Sequence, residues 1–172
     1  MKLTDLMPED DWAALEDELT ARFGLQSTAY NPDGFSVTGR SVFVSRLCEA
    51  LKSRPTALST ICAAANLNFM AEAKATGCAV IAECDAGLVK VAVPVFVDGL
   101  FLGTVGGCGK LPEGGEAEEF LIAKTTGLTE GEVASLCRDT GEVEREKLKE
   151  MAGFITSRLA EILSRAKNSG RI

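Results

Sequence analysis

The sequence predicts an α+β fold in which an antiparallel sheet is covered by helices, and three observations predict it. Between Gly77 and Gly109 three apolar β runs follow one another, and a tight Asp98-Gly99 turn joins the last two. Val91, Val93, Val95 and Val97 alternate with Lys90, Ala92, Pro94 and Phe96, a period of two that gives this strand a valine face and a small, mixed face. On both sides of the stretch the apolar spacing changes to the three-and-four pattern of helices. Sheet and helices in that order pack as layers around one core.

Taken in order, Glu9 to Phe23 places Trp12, Leu15, Leu19 and Phe23 on one helical face, with Gly24 positioned to end the helix. Gln26 to Thr38, centred on Asn31-Pro32-Asp33-Gly34, predicts two short strands joined by a turn. From Ser41 to Thr76 the β pattern gives way to Ala, Leu and charged residues. Val42 to Leu51 is expected to form one helix, Arg54-Pro55 to interrupt it, and Thr56 to cap a second helix that runs to Gly77.

Beyond the first of the three β runs, Lys90 to Val97 and Leu100 to Val105 form a hairpin in which Asp98-Gly99 supplies the positive φ that the turn requires. Gly103, Gly106 and Gly107 strip bulk from the returning strand, which suits the approach of either a helix or a bound molecule. Leu111-Pro112-Glu113-Gly114-Gly115 is a loop by composition, followed by short helices over Glu116 to Lys124 and Thr129 to Cys137, the latter with a Thr129/Glu132 capping box. The final helix, Glu142 to Lys167, carries Leu148, Ala152, Ile155, Leu159, Ile162 and Ala166 at alternating spacings of four and three. That repeat reads as a coiled-coil seam and predicts a homodimer contact, with packing onto its own domain as the alternative. The expected organisation is a sheet-and-helix domain with its N-terminal helix over 1–141 and a coiled-coil-like helix and tail over 142–172.

A chain of 172 residues with 46% hydrophobic content can bury one sizeable core. Its formal charge of -7 and pI near 4.8 would repel a phosphate backbone, so nucleic-acid binding by this chain alone is not expected. The acidic N-terminus lacks the basic start and apolar run of a signal peptide, and no apolar segment approaches spanning length, so no membrane insertion and a cytoplasmic location are expected. No histidine occurs, which removes the commonest general base, the Cys-His and Ser-His pairs and imidazole ligation; an enzyme is not expected.

One set of motifs carries a resemblance. Leu47-Cys48 lies in the first interior helix and Ile61-Cys62 opens the second. Gly77 precedes a strand ending in Cys84-Asp85-Ala86-Gly87-Leu88, followed by Ala92-Val93-Pro94-Val95, Asp98-Gly99, Leu102-Gly103 and Gly106-Gly107. In order and spacing these resemble the PocR ligand-binding domain, from about Trp12 to Leu163. The resemblance implies a PAS-like fold and a cytoplasmic sensor of small hydrocarbon derivatives such as diols, often joined to a transcription-factor or kinase output. It also implies that Cys48, Cys62 and Cys84 sit at family positions, with the interior helices lying over the sheet face that carries Cys84. The chain departs from the family pattern at Asp85, where His is common, at Lys90, where an acidic residue is usual, and at Cys108, where Gln is usual. Its ligand is therefore expected to differ. No output module follows the last helix, so the chain is expected either to signal through a separate partner or to be a fragment.

Cys48, Cys62, Cys84 and Cys108 are thus candidates to converge, as small buried hydrophobes, as redox or ligand-contacting thiols, or as ligands of zinc or an iron-sulfur cluster, although no Cys-x-x-Cys pair supports a metal. Cys78 and Cys137 read as structural. Lys90 shares a face with Ala92 and Pro94, where its ammonium would meet an anionic ligand group or, on an edge strand, solvent. With Phe43, Asp85 and Gly106 these complete the candidate ligand contacts; Phe43, like Phe69 and Phe96, also suits the core. The expected function is a sensor that binds a small organic molecule between sheet and helices and signals through the last helix. The alternative is a cysteine-based redox or metal switch. No cofactor is specified by the sequence.

Overall fold

The alternation along the valine strand decides which side of the sheet faces the main core. The computed structural model describes residues 1–172. It begins with α1 (Leu3–Leu6), α2 (Glu9–Phe23), β1 (Gln26–Tyr30) and α3 (Arg46–Lys52). A continuous helix follows, made of α4 (Pro55–Ala57), a π-helical stretch (Leu58–Ala63) and α5 (Ala64–Thr76). Then come β2 (Val80–Glu83), β3 (Val89–Val97), β4 (Leu100–Cys108), β5 (Leu111–Pro112), α6 (Glu119–Thr126), α7 (Glu130–Arg138), β6 (Glu142–Val143) and α8 (Arg145–Asn168).

β1 to β4 form one antiparallel sheet in the order β1-β4-β3-β2, while β5 and β6 pair in parallel. The α+β class with an antiparallel sheet under helices is as expected. The β3–β4 turn has φ 48 at Asp98 and φ 82 at Gly99, the two positive values that a two-residue hairpin of the favoured hand requires.

Val89, Val91, Val93, Val95 and Val97 of β3 point to one side together with Val105 of β4 and Ala29 of β1. Against them pack Trp12, Leu15, Leu19 and Phe23 of α2, and Leu148, Met151, Ala152, Ile155, Leu159, Ile162 and Ala166 of α8. Each large aliphatic side chain buried this way contributes about 1.5–3 kcal/mol, so the α8 stripe alone fixes that helix on the sheet. The Trp12 indole N–H donates to the Leu3 carbonyl at 3.0 Å, which satisfies the one polar atom of a fully buried ring.

Several expectations are corrected here. The α8 seam lies on the chain's own sheet, so its residues are already covered and do not offer a free coiled-coil surface. Residues Gln26 to Thr38 form one strand and a single bridge, Tyr30 to Ser36, rather than a hairpin of two strands. α2 supplies what a second strand would have done: Glu16, buried, accepts from the Ala29 N–H at 2.9 Å and from the Thr38 hydroxyl at 2.8 Å, closing part of the β1 edge. Burial pushes the Glu16 carboxyl up from its ordinary range, although those two donors pull it back.

Ser45 rather than Val42 starts α3, its hydroxyl accepting from the Cys48 N–H. Pro55 occupies the first turn of the next helix, where its missing N–H costs nothing, so Arg54 rather than Thr56 holds the cap position. α6 begins at Glu119 rather than Glu116, and Glu142 pairs as strand before α8 starts. The Thr129/Glu132 capping box forms as read.

The opposite side of the sheet is filled unevenly. Phe69 and Ala73 of α5 pack on Val80 and Ala92 at one end. Beyond the other end, α3, α6 and α7 gather Leu47, Leu51, Ile61, Leu88, Ile122 and Val133 into a second core. Between these two clusters lies a part of the sheet over which the helices leave a cavity.

Candidate functional site

The sheet beneath the cavity is a grid set by strand register. Gln26 of β1 lies beside Cys108 of β4, which lies beside Lys90 of β3; the next row is Thr28, Gly106 and Ala92; the third is Tyr30, Thr104 and Pro94. Because side chains alternate, all three rows face away from the valine core. β3 and β4 are interior strands, so Lys90 is not an edge-strand charge reaching solvent; it is 6% exposed.

Helices close over this grid. A cavity of about 40 Å³ is lined by Tyr30, Lys90 and Cys108 from the sheet, Cys84 and Leu88 from the turn before β3, and Cys48, Leu51, Lys52, Ile61, Cys62 and Ala65 from the helices. Ile61 and Cys62 lie in the π-helical stretch, a wide turn of the kind that recurs at functional sites. A smaller space of about 10 Å³ adjoins it between Gln26, Thr28, Asn66, Lys90, Ala92, Thr104 and Gly106. Outside both, a vestibule of about 210 Å³ shares Tyr30, Lys52 and Cys62 with the cavity and opens past Ser36, Arg40 and Leu58.

Three polar groups in this region lack partners. The Gln26 Oε1 and Asn66 Oδ1 atoms are buried and accept no hydrogen bond, although Asn66 Nδ2 donates to the Gly34 carbonyl at 3.2 Å. Lys90 makes no salt bridge and no hydrogen bond; its Nζ lies 5.3 Å from the Tyr30 ring centroid and 6.0 Å from that of Phe69. Buried polar atoms of this kind are rare and costly in folded chains unless something else meets them. Among all residues lining the cavity, the small space and the vestibule, Lys52, Lys90 and Arg40 are cationic and none is Asp or Glu. Arg40 is already paired with Asp17 at 2.7 Å, which leaves the two lysines.

The four thiols do line one cavity, as their positions suggested. Burial raises three of them. The Cys48 thiol is pushed up to about 12 and that of Cys62 to about 11, in both cases first by burial and then by the neighbouring Cys108 sulfur. Burial likewise raises Cys84, against two backbone donors. Cys48 Sγ donates to the Gly109 carbonyl at 3.8 Å, a weak contact. No three Cys, Asp or Glu side chains are placed to hold a metal ion together. Of the other two cysteines, Cys137 is buried in the second core, whereas Cys78 is exposed.

The remaining expected contacts divide. Ala92 and Gly106 line the small space. Gly106 is required first by strand approach, since a Cβ there would overlap the Val91 carbonyl oxygen. Pro94 belongs to the third row but borders neither space, and Asp85 sits in the exposed turn before β3. Phe43 is 39% exposed and lies outside the cavity, its ring 5.9 Å from Lys52 Nζ. Of the helix-or-ligand alternatives at the glycines, the helix reading holds at Gly107: its Cβ would stand 2.7 Å from Met151 Cε of α8.

Sequence reading missed Gln26, Thr28, Tyr30, Lys52, Asn66 and Thr104. A signal for the first three was present: polar residues at alternate positions of a strand whose other face is apolar mark either solvent or a polar interior. Asn66 carried none, because a lone Asn in an Ala-rich helix reads as surface.

No helix is long and apolar enough to cross a membrane. In comparison with known proteins, one family model, described as a sensory domain found in PocR, matches residues 5–168. No curated protein and no solved structure matches the chain.

Proposed function

The chain belongs to the PocR sensory-domain family, and on that premise we propose that it senses a small organic molecule held between the sheet grid and the helices α3 to α5. The observation that carries this reading is a cavity bordered by Lys90, a buried residue with no ion-pair partner, and by two buried oxygens that accept no hydrogen bond, Gln26 Oε1 and Asn66 Oδ1. A fold that only needed a core would have filled the space with aliphatic side chains.

The route of the signal follows from strand alternation. In β4, Cys108 faces the cavity while Gly107 faces α8 and lies against Met151. A guest that presses on β4 from one side therefore changes the seat of α8 on the other. The shift it can impose is limited to its difference in affinity between the two arrangements, about 1.4 kcal/mol for a tenfold preference. In this reading residues 1–141 are the sensing unit and 142–172 the transmitting helix of a cytoplasmic protein. It acts as a homodimer or through a separate output partner, using a face of α8 other than the seam already packed on the sheet.

Four thiols around one cavity also support a redox or metal switch. The upward-shifted titration of Cys48, Cys62 and Cys84 works against it, since the thiolate is both the nucleophile and the ligand.

Native mass spectrometry of the purified full chain tests both readings. Retention of an organic mass by the chain, and its loss in an Ala65→Leu variant that fills the cavity, is the expected result. A zinc or iron-sulfur increment would move the assignment to the switch. A bare chain that low-molecular-mass cell extract does not stabilise would end the sensor reading.

A further inference from the structure

The groups around the cavity specify a ligand class. We infer that the guest is a small hydroxycarboxylate of about six or seven non-hydrogen atoms, its carboxylate on Lys90 and Lys52 and its hydroxyl groups donating to Gln26 Oε1 and Asn66 Oδ1. This rests on the sensor reading above and narrows it.

The chain carries 25 acidic residues against 18 basic ones, yet none of the acids borders the cavity, the small space or the vestibule. Lys90 is 6% exposed, and two aromatic faces are the only attraction it has. A buried ammonium is stable when an anion joins it. Lys52, from α3, lines both the cavity and the vestibule, so a second cation stands on the route that an anion would take inward.

The hydrogen-bond inventory adds the second element. Gln26 Oε1 and Asn66 Oδ1 are acceptors, and both residues border the small space that Lys90 also borders. An anion alone would leave them unmet; a neutral diol would meet them and leave the charge of the ammonium uncompensated. A carboxylate with two hydroxyl groups meets all three, and one with a single hydroxyl meets the ammonium and one of the two acceptors.

Size sets the limit. At about 10–15 Å³ for each water-sized sphere, the 40 Å³ cavity takes roughly three or four such units and the 10 Å³ space roughly one more. The enclosed part is too small for a whole sugar or aromatic acid.

The test uses the full chain with D-glycerate and L-lactate, and with propionate and propane-1,2-diol as the anion-only and hydroxyl-only controls, all at the same ionic strength in sodium chloride. Expected is a saturable rise of the thermal midpoint with glycerate or lactate, about 5–10 °C at a hundredfold excess over Kd, and clearly weaker binding of both controls. Lys90→Met should weaken the hydroxycarboxylate about 30-fold or more. Lys52→Met, at the less buried position, should weaken it less and provides the check if the first variant misfolds.

Tighter binding of propane-1,2-diol than of either hydroxycarboxylate, unaffected by Lys90→Met, overturns the inference while leaving the cavity reading intact. Absence of binding by all four compounds also overturns it. The native mass spectrum then decides separately whether the cavity holds anything.

Discussion

Replacing Lys90 by methionine probes the site without any ligand. Lys90 as a whole is 6% exposed and its ammonium has no ion-pair partner, and effective penalties for burying an ion amount to several kcal/mol. Two effects offset part of that. The Tyr30 and Phe69 rings, at 5.3 and 6.0 Å, return about 0.5–2 kcal/mol each, and the 40 Å³ cavity beside Lys90 has room for roughly three waters to hydrate the charge. Methionine keeps the unbranched stem that packs against the grid and brings no charge. The expected balance is a gain of about 1–2 kcal/mol, equivalent to roughly 2–8 °C in thermal midpoint for a chain of this size. Urea unfolding at pH 7.5 without added ligand is the assay, with the slope m unchanged so that the midpoint reports stability alone. A loss of about 1 kcal/mol or more would show that the unliganded protein already satisfies the ammonium. The argument that the cavity awaits an anion would then fail.

Two further outcomes are expected. Gly107→Ala should destabilise by about 1–3 kcal/mol in urea unfolding, because its Cβ would press on Met151 Cε at 2.7 Å and on Leu25 Cβ at 3.1 Å, and only the methionine end yields easily; an unchanged midpoint would mean that α8 is not tightly seated on β4. In timed alkylation at pH 7.5 read by peptide mass spectrometry, exposed Cys78 should react first and Cys48, Cys62 and Cys84 last, since burial holds them protonated. The same shifts have a sign for stability. A thiol that titrates at about 12 or 11 when folded and near 9 when unfolded contributes fully below pH 9, and that contribution is lost as pH rises through the folded values. Cys48→Ser should therefore narrow the loss of stability measured between pH 9 and 11, and an identical slope in both proteins would refute the assignment.

The sequence by itself determined the sheet and its two-sidedness. The valine alternation, the Asp98-Gly99 turn and the three-and-four spacing of α2 and α8 are local signals, and each is enforced by backbone geometry within a few residues. The same locality made Cys48, Cys62, Cys84 and Cys108 visible as a group, since their elements were legible and the resemblance supplied the layering. What only the tertiary structure decided was which stripe meets which face. α8 carries a seam that suits a partner helix and a sheet equally well, and burial against β3 settled it. Whether Lys90 reached solvent depended on β4 lying outside it in the strand order. Gln26, Thr28 and Tyr30 became cavity walls through register with β4, and Asn66 through the packing of α5, relations between segments far apart in the chain that no spacing along it records.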